Sequence, residues 1–379
     1  MAKTAAIQAD VGDYLKLTAC TAVMLQPILA LALTLNPSNA AQVGIGFAYN
    51  LVKFTAPAFI FGILYTTMHQ TLWPVRPYND YLRKQWHGLF VPTIWWTSLY
   101  LLVMPWVQQG TRYHSLGGFV WRFVNGNAAP HLWYNTMMLQ FIVLMPLFWK
   151  LARWCGVSAK RAWRIVGGTV LFTLGWLLIY DTQVFHGPHM HSWYILDRVF
   201  LSFLIYGIFG TLTWSFRNWI MPWLQRWWLG LAALALAAYY WVNRDLFAFD
   251  FPVKLTNAPY YRPVMVLYDL LVIGLVAALG SYQIRWQRPV TIWIHRFANF
   301  AYKAFFIERF LGTTGLAEGW KNGHAGAFVL GHSLDLRCDL AVVICFSLWV
   351  ARVVATVESN TKKTVLGNLS DCTKRFLIG

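Results

Sequence analysis

The side chains able to do chemistry are few, and most stand where charge is expensive. Asp13 and Lys16 open the first long apolar run, one helical turn apart on the same face. Asp197 and Arg198 adjoin at the start of another run, and Asp269 lies within a third. Lys303, Glu308 and Arg309 interrupt a fourth, and Asp335, Arg337 and Asp339 open a fifth. A carboxylate in apolar surroundings can act as a general base, and a cation beside it can hold a phosphate or steady an oxyanion. The competing reading for the charges near run ends is ion pairing, with long side chains snorkelling to water. His186, His189 and His191 lie close together beside Asp181, but without a helix or strand spacing they read as a surface loop rather than a zinc or copper site. His131, just before another apolar run, is a reserve base. His114 adjoins Ser115, and adjacency in sequence does not by itself orient a nucleophile on a base. No Walker motif, HExxH or helix-opening GxGxxG occurs, so a nucleotide-driven pump and an intramembrane metalloprotease gain no support. No residue set is assigned to a metal.

The elements that must position these groups follow from composition. Of 379 residues, 58% are hydrophobic and only 12% charged, with mean hydropathy +0.46. Soluble domains carry about 25% charged residues, so a water-soluble enzyme, a disordered chain and a disulfide-stapled secreted domain are excluded. A membrane span needs about 20 apolar residues. The apolar runs predict an all-α bundle of about ten transmembrane helices, over 13–35, 44–68, 88–108, 133–152, 165–181, 193–213, 227–243, 262–281, 297–313 and 335–356. Breaks fall at Pro74–Pro77, Gly117-Gly118 and Gln287-Arg288-Pro289. Residues 1–357 form one transmembrane unit and 358–379 a basic tail. The first run is read as a retained span, since no small-residue cleavage pattern follows it. No internal repeat is apparent.

Most of the 31 Lys and Arg fall in the even-numbered gaps and the two termini, which places both termini in the cytoplasm. That asymmetry accounts for the net charge of +17 without a nucleic-acid partner. Trp95-Trp96, Trp227-Trp228 and Tyr239-Tyr240-Trp241 sit at run ends, where amphipathic rings favour the headgroup level. The five cysteines form no CxxC and are read as buried thiols.

Five collinear segments resemble the membrane acyltransferase 3 family. Asp13 through Cys20 resembles that family's first helix, and Phe54 through Gly62 its second. Tyr81-Leu82-Arg83-Lys84 leading to Phe90-Val91-Pro92 resembles the basic entry to the third. His131-Leu132-Trp133-Tyr134, with Leu139-Gln140 and Leu144-Met145-Pro146, resembles the fourth. Asp197 through Phe203, with Tyr206 and Gly210, resembles the sixth. The resemblance implies a ten-span bacterial plasma- or inner-membrane protein among membrane lipids. It further implies transfer of an acyl group, commonly acetyl, from acyl-CoA as co-substrate to an envelope glycan or lipid-linked sugar, with no tightly bound cofactor.

The family carries an arginine and, eleven positions on, a histidine in its first helix. Here Lys16 and Pro27 stand there, with Gln26 beside the proline. Lysine keeps the charge but loses the bidentate fork, and proline accepts no proton. Gln85 and Gly88 replace an arginine pair, and Glu308 stands near a ninth-helix histidine position. Two readings follow. In the first, Glu308 or His131 is the base, Lys16, Arg83 and Lys84 hold the donor, and Asp197 and Arg198 bind substrate. In the second, the protein is a catalytically silent member that binds or helps move a lipid-linked glycan, or serves a partner subunit.

Overall fold

Prolines and charges interrupt the apolar runs, and the computed structural model, which describes residues 9–34, 37–72, 77–103, 113–129, 132–189, 193–249, 251–258 and 260–299, has a helix end before Pro289 and a bend at Pro146, whereas Pro27 and Pro222 lie inside helices. The regular elements among these residues are all helical. Helix α1 (Val11–Thr34) carries Pro27 inside it. After it, the Ser38 hydroxyl caps α2 (Asn39–Leu51) by accepting from the Ala41 N–H at 3.4 Å. The path continues into α3 (Thr55–Thr71) after a break at 52–54. Pro57 fits the first turn of α3, where a missing N–H costs nothing.

Helix α4 (Tyr78–Gln85) passes through a π-helical turn, Trp86–Phe90, into α5 (Val91–Val103). Pro92 offers no N–H to the Gly88 carbonyl, and the Val91 N–H bonds Trp86 instead, one residue further back than in an α-helix. A short amphipathic helix, α6 (Leu116–Asn125), ends at Gly126 with φ of 76°. Helices α7 (Trp133–Val143) and α8 (Met145–Gly156) meet at Leu144 with a 55° bend, where Pro146 interrupts the ladder. Next come α9 (Ala159–Ile179), α10 (Leu204–Ser215), α11 (Arg217–Arg226), α12 (Trp228–Phe247) and α13 (Pro263–Arg285), followed by a helical stretch at 290–299.

Among the described residues, three helical runs are long and apolar enough to cross a membrane: Asn39–Thr71, Ala159–Phe185 and Pro263–Arg285. The bent pair α7–α8 makes a fourth if counted as one span. The sixth apolar run departs from expectation. Its first part forms two 3-10 turns, Tyr194–Arg198 and Phe200–Phe203, and α-helix begins only at Leu204. The local cause is Arg198, whose side chain and backbone carbonyl are both tied to neighbouring elements. Most of the ninth run, all of the tenth and the 358–379 tail lie outside the described residues.

Helices α1, α3, α10 and α13 meet around a core that includes Leu15, Ile60, Leu64, Met68 and Ile273. Small residues let these backbones approach closely. A Cβ on Gly12 would collide with the Thr66 hydroxyl, and one on Gly210 would lie 2.5 Å from the Phe61 carbonyl oxygen. Contacts between distant segments define two ends. At one end, Tyr14 bonds Gln283, Trp149 bonds Thr71 and Gln225 bonds Ser281. At the other, Asn50 bonds Asn243, and Phe47 packs on Tyr239. Arg83, Lys84, Lys150, Arg153, Arg217, Arg226 and Arg285 belong to helix ends of the first group, which is therefore the basic end.

Candidate functional site

Two polar layers stand out in the apolar bundle, one at the mouth of the basic end and one buried deeper. The mouth is built where α1 begins, α3 ends and the 290–299 stretch returns. The Asp10 side chain accepts from the Asp13 N–H at 2.8 Å, and Asp13 Oδ2 accepts from the Asp10 N–H at 3.2 Å, so the two carboxylates lock the first turn of α1. Asp13 then holds two cationic or polar partners. His295 Nδ1 lies 2.7 Å from Asp13 Oδ2, and Lys16 Nζ lies 3.4 Å from Asp13 Oδ1.

With the Nδ1 proton donated to the carboxylate, His295 Nε2 is left as an acceptor, and the Asn299 side-chain amide donates to it at 3.2 Å. Asp13 is nearly enclosed, with 7% of its side chain exposed, whereas the His295 and Lys16 side chains each expose 26%. A second pair completes the mouth: His69 Nδ1 stands 3.6 Å from Asp10 Oδ2, and the Thr66 hydroxyl donates to Asp10 Oδ1 at 3.4 Å. Burial alone pushes the Asp10 carboxyl up. The His69 hydrogen bond, the Lys16 charge and the Asp13 N–H outweigh it and hold the group below its ordinary range.

The deeper layer gathers at the break between α2 and α3. Gln26 lies ten residues beyond Lys16 along α1, about 15 Å at helical rise. Its amide donates to the Val52 carbonyl at 3.0 Å and to the Thr55 hydroxyl at 3.3 Å. Lys53 is 4% exposed, and its Nζ sits over the rings of Tyr49 at 4.9 Å and Tyr260 at 4.6 Å. Asp269 of α13 is fully buried and accepts from the Tyr206 hydroxyl of α10 at 2.9 Å through Oδ2. Its Oδ1 has no hydrogen-bond partner among the described residues, and neither polar atom of the buried Asn135 amide has one. Burying such groups without a partner is costly, which makes them candidates for function.

The residues named from sequence fall in different places. Lys16 reaches the mouth, tied to Asp13. Arg83 and Lys84 are exposed on the last turn of α4, on another element of the basic end. Arg198 lies elsewhere and is 6% exposed. Its Nε donates to the Asn125 carbonyl at 2.7 Å, Nη2 to Asn127 Oδ1 at 2.7 Å and Nη1 to Asp197 Oδ1, while its own carbonyl accepts from Gln140 at 2.6 Å. The guanidinium ties the end of α6 and the residues after it to the first 3-10 turn, and the Arg198 carbonyl adds α7 through Gln140. Glu308 and His131 lie outside the described residues. Among the described residues, no group of three or more His, Cys, Asp or Glu is arranged to hold a metal ion.

Lys53, His69, Asp10 and His295 join these layers without having been singled out from sequence. Lys53 was detectable as a lone lysine within the second apolar run. His295 was not, because its partner Asp13 lies 282 residues away. No protein-family model, curated protein or solved structure matches the chain.

Proposed function

We propose that this chain is an integral membrane acyl-transfer protein of the acyltransferase 3 kind, a bundle of about ten spans with both termini cytoplasmic. It would move an acyl group, acetyl first, from acyl-CoA to a hydroxyl of an envelope glycan or lipid-linked sugar. The observation that carries this reading is the mouth of the basic end. There, Lys16, at the position of the family's first-helix arginine, shares the Asp13 carboxylate with a partly exposed imidazole. Exposed Arg83 and Lys84 at the same end supply positive charge for the donor's phosphates. The apolar spans and the concentration of Lys and Arg at one end support a multi-pass protein of a bacterial plasma or inner membrane. The buried layer at Gln26, Lys53, Tyr206 and Asp269 occupies the level of the family's first-helix histidine, where this chain has Pro27.

One observation favours the second reading, a silent member that binds a lipid-linked glycan or serves a partner subunit. Pro27 removes the family's base, and the Lys16 ammonium is already engaged by Asp13. Mass spectrometry of alkali-labile esters on envelope glycans separates the two, comparing a deletion strain with one carrying the intact gene. Acyl transfer predicts an ester that vanishes on deletion and returns with the gene, its mass naming the acyl group. An unchanged ester profile refutes acyl transfer and leaves the binding role.

A further inference from the structure

The mouth contains more than a cation for the donor. Its carboxylate–imidazole pair has the features of an oriented base: a nearly enclosed carboxylate on one ring nitrogen, and the other nitrogen an acceptor on a side chain that is partly exposed. We propose that His295, oriented by Asp13, takes the proton from the acceptor hydroxyl, an assignment that rests on the acyl-transfer reading above. Asp13 is itself fixed by the Asp10 N–H and by Lys16, so the imidazole is held in one tautomer and one orientation. Asn299, which donates to Nε2 at 3.2 Å, holds the place that the acceptor hydroxyl takes in the reaction. His295 would thus supply, from the far end of the described chain, the imidazole that Pro27 removes from α1.

The step balances without a metal or redox partner. The acceptor oxygen attacks the thioester carbonyl of the acyl donor, and its proton passes to His295 Nε2. The C–O bond forms, the C–S bond breaks, and the imidazolium returns its proton to the departing thiolate of CoA. Lys16, one helical turn from Asp13, puts a positive charge beside the carbonyl oxygen as negative charge develops there.

The test uses membrane vesicles, inside-out so that the cytoplasmic face is exposed, from a deletion strain expressing the full chain. They are given acetyl-CoA with a labelled acetyl group, and alkali-labile label on endogenous acceptors is counted. Vesicles with the unaltered chain must incorporate label above the deletion background. If they do not, the acyl-transfer reading fails first, and the assignment of His295 falls with it.

Given that activity, His295→Ala at equal protein level should lower the rate at least about 100-fold, with the KM for acetyl-CoA little changed and the rate partly restored by added imidazole. Asp13→Asn still accepts from the ring but stabilises the imidazolium poorly. It should lose on the order of 10-fold to 100-fold, and it decides the matter if His295→Ala does not accumulate. Either variant retaining activity within about threefold overturns the assignment while leaving acyl transfer standing. So does a His295→Ala loss that appears as a raised KM and does not respond to imidazole.

Discussion

Replacing Arg198 by methionine separates a substrate contact from a structural pin. The guanidinium makes hydrogen bonds to the Asn125 carbonyl, Asn127 Oδ1 and Asp197 Oδ1, and it is 6% exposed. Hydrogen bonds to a charged group contribute about 1.5–3 kcal/mol each, but they are not additive, and Asp197 keeps 29% of its side chain exposed. Discounting the Asp197 contact for solvent screening leaves the enclosed bonds to Asn125 and Asn127. Together with the unpaired acceptors left behind, they give a loss of about 3–4 kcal/mol, within the range for breaking a buried charged network.

The loss should appear as faster thermal unfolding of the purified protein in detergent, followed as a half-time at fixed temperature because a rate stays well defined where unfolding is irreversible. Arg198→Lys, which keeps charge without the planar fork, should fall between the two. The reasoning fails if Arg198→Met unfolds as slowly as the unaltered chain while the acceptor's KM rises tenfold. Arg198 would then face substrate, as the sequence reading held.

Three further outcomes follow from other positions. Gly210→Ala sets a Cβ 2.5 Å from the Phe61 carbonyl oxygen, a backbone atom that cannot rotate away, and should cost about 1–3 kcal/mol by forcing α10 off α3; an unchanged melting temperature would contradict that packing. Lys53→Met keeps the stem and removes a buried ammonium that makes no ion pair among the described residues. Its melting temperature should equal or exceed that of the unaltered chain, while any acyl-transfer activity falls; a drop of several degrees would mean the charge is paired. Asp10→Asn should lower the melting temperature at neutral pH. Because the Asp10 carboxyl is held below its ordinary range, its stabilisation is full above about pH 5 and is lost as pH falls through the folded-state value. The gap between the two melting curves should therefore start to narrow only as pH drops below the ordinary carboxylate range and close once pH is below the Asp10 folded-state value, and a gap that does not narrow on acidification rules out the carboxylate as its source.

Much of the local structure was legible in the sequence, because a helix depends on residues a few positions apart. Among the described residues most of the apolar runs are helical and Pro92 and Pro146 sit where the α-helical ladder is disturbed, but the second run breaks at 52–54 and the expected break at Gly117-Gly118 lies inside α6. Asp13 and Lys16, three residues apart, were expected on one face and do meet at 3.4 Å. The sixth run does not form one α-helix, and hydropathy is blind to the reason: the Arg198 guanidinium turns inward onto the end of α6 while its backbone carbonyl takes the Gln140 amide of α7.

What only the tertiary structure decided is which distant group each charge would meet. Asp13 finds His295 at the far end of the described chain, Lys53 settles between Tyr49 and Tyr260, and Asp269 takes the Tyr206 hydroxyl. In an apolar bundle, a buried polar group must take whatever partner the neighbouring helices present. Apolar runs of nearly equal hydropathy do not reveal their neighbours, whereas contacts such as Gly12 on Thr66 and Gly210 on Phe61 determine them through shape.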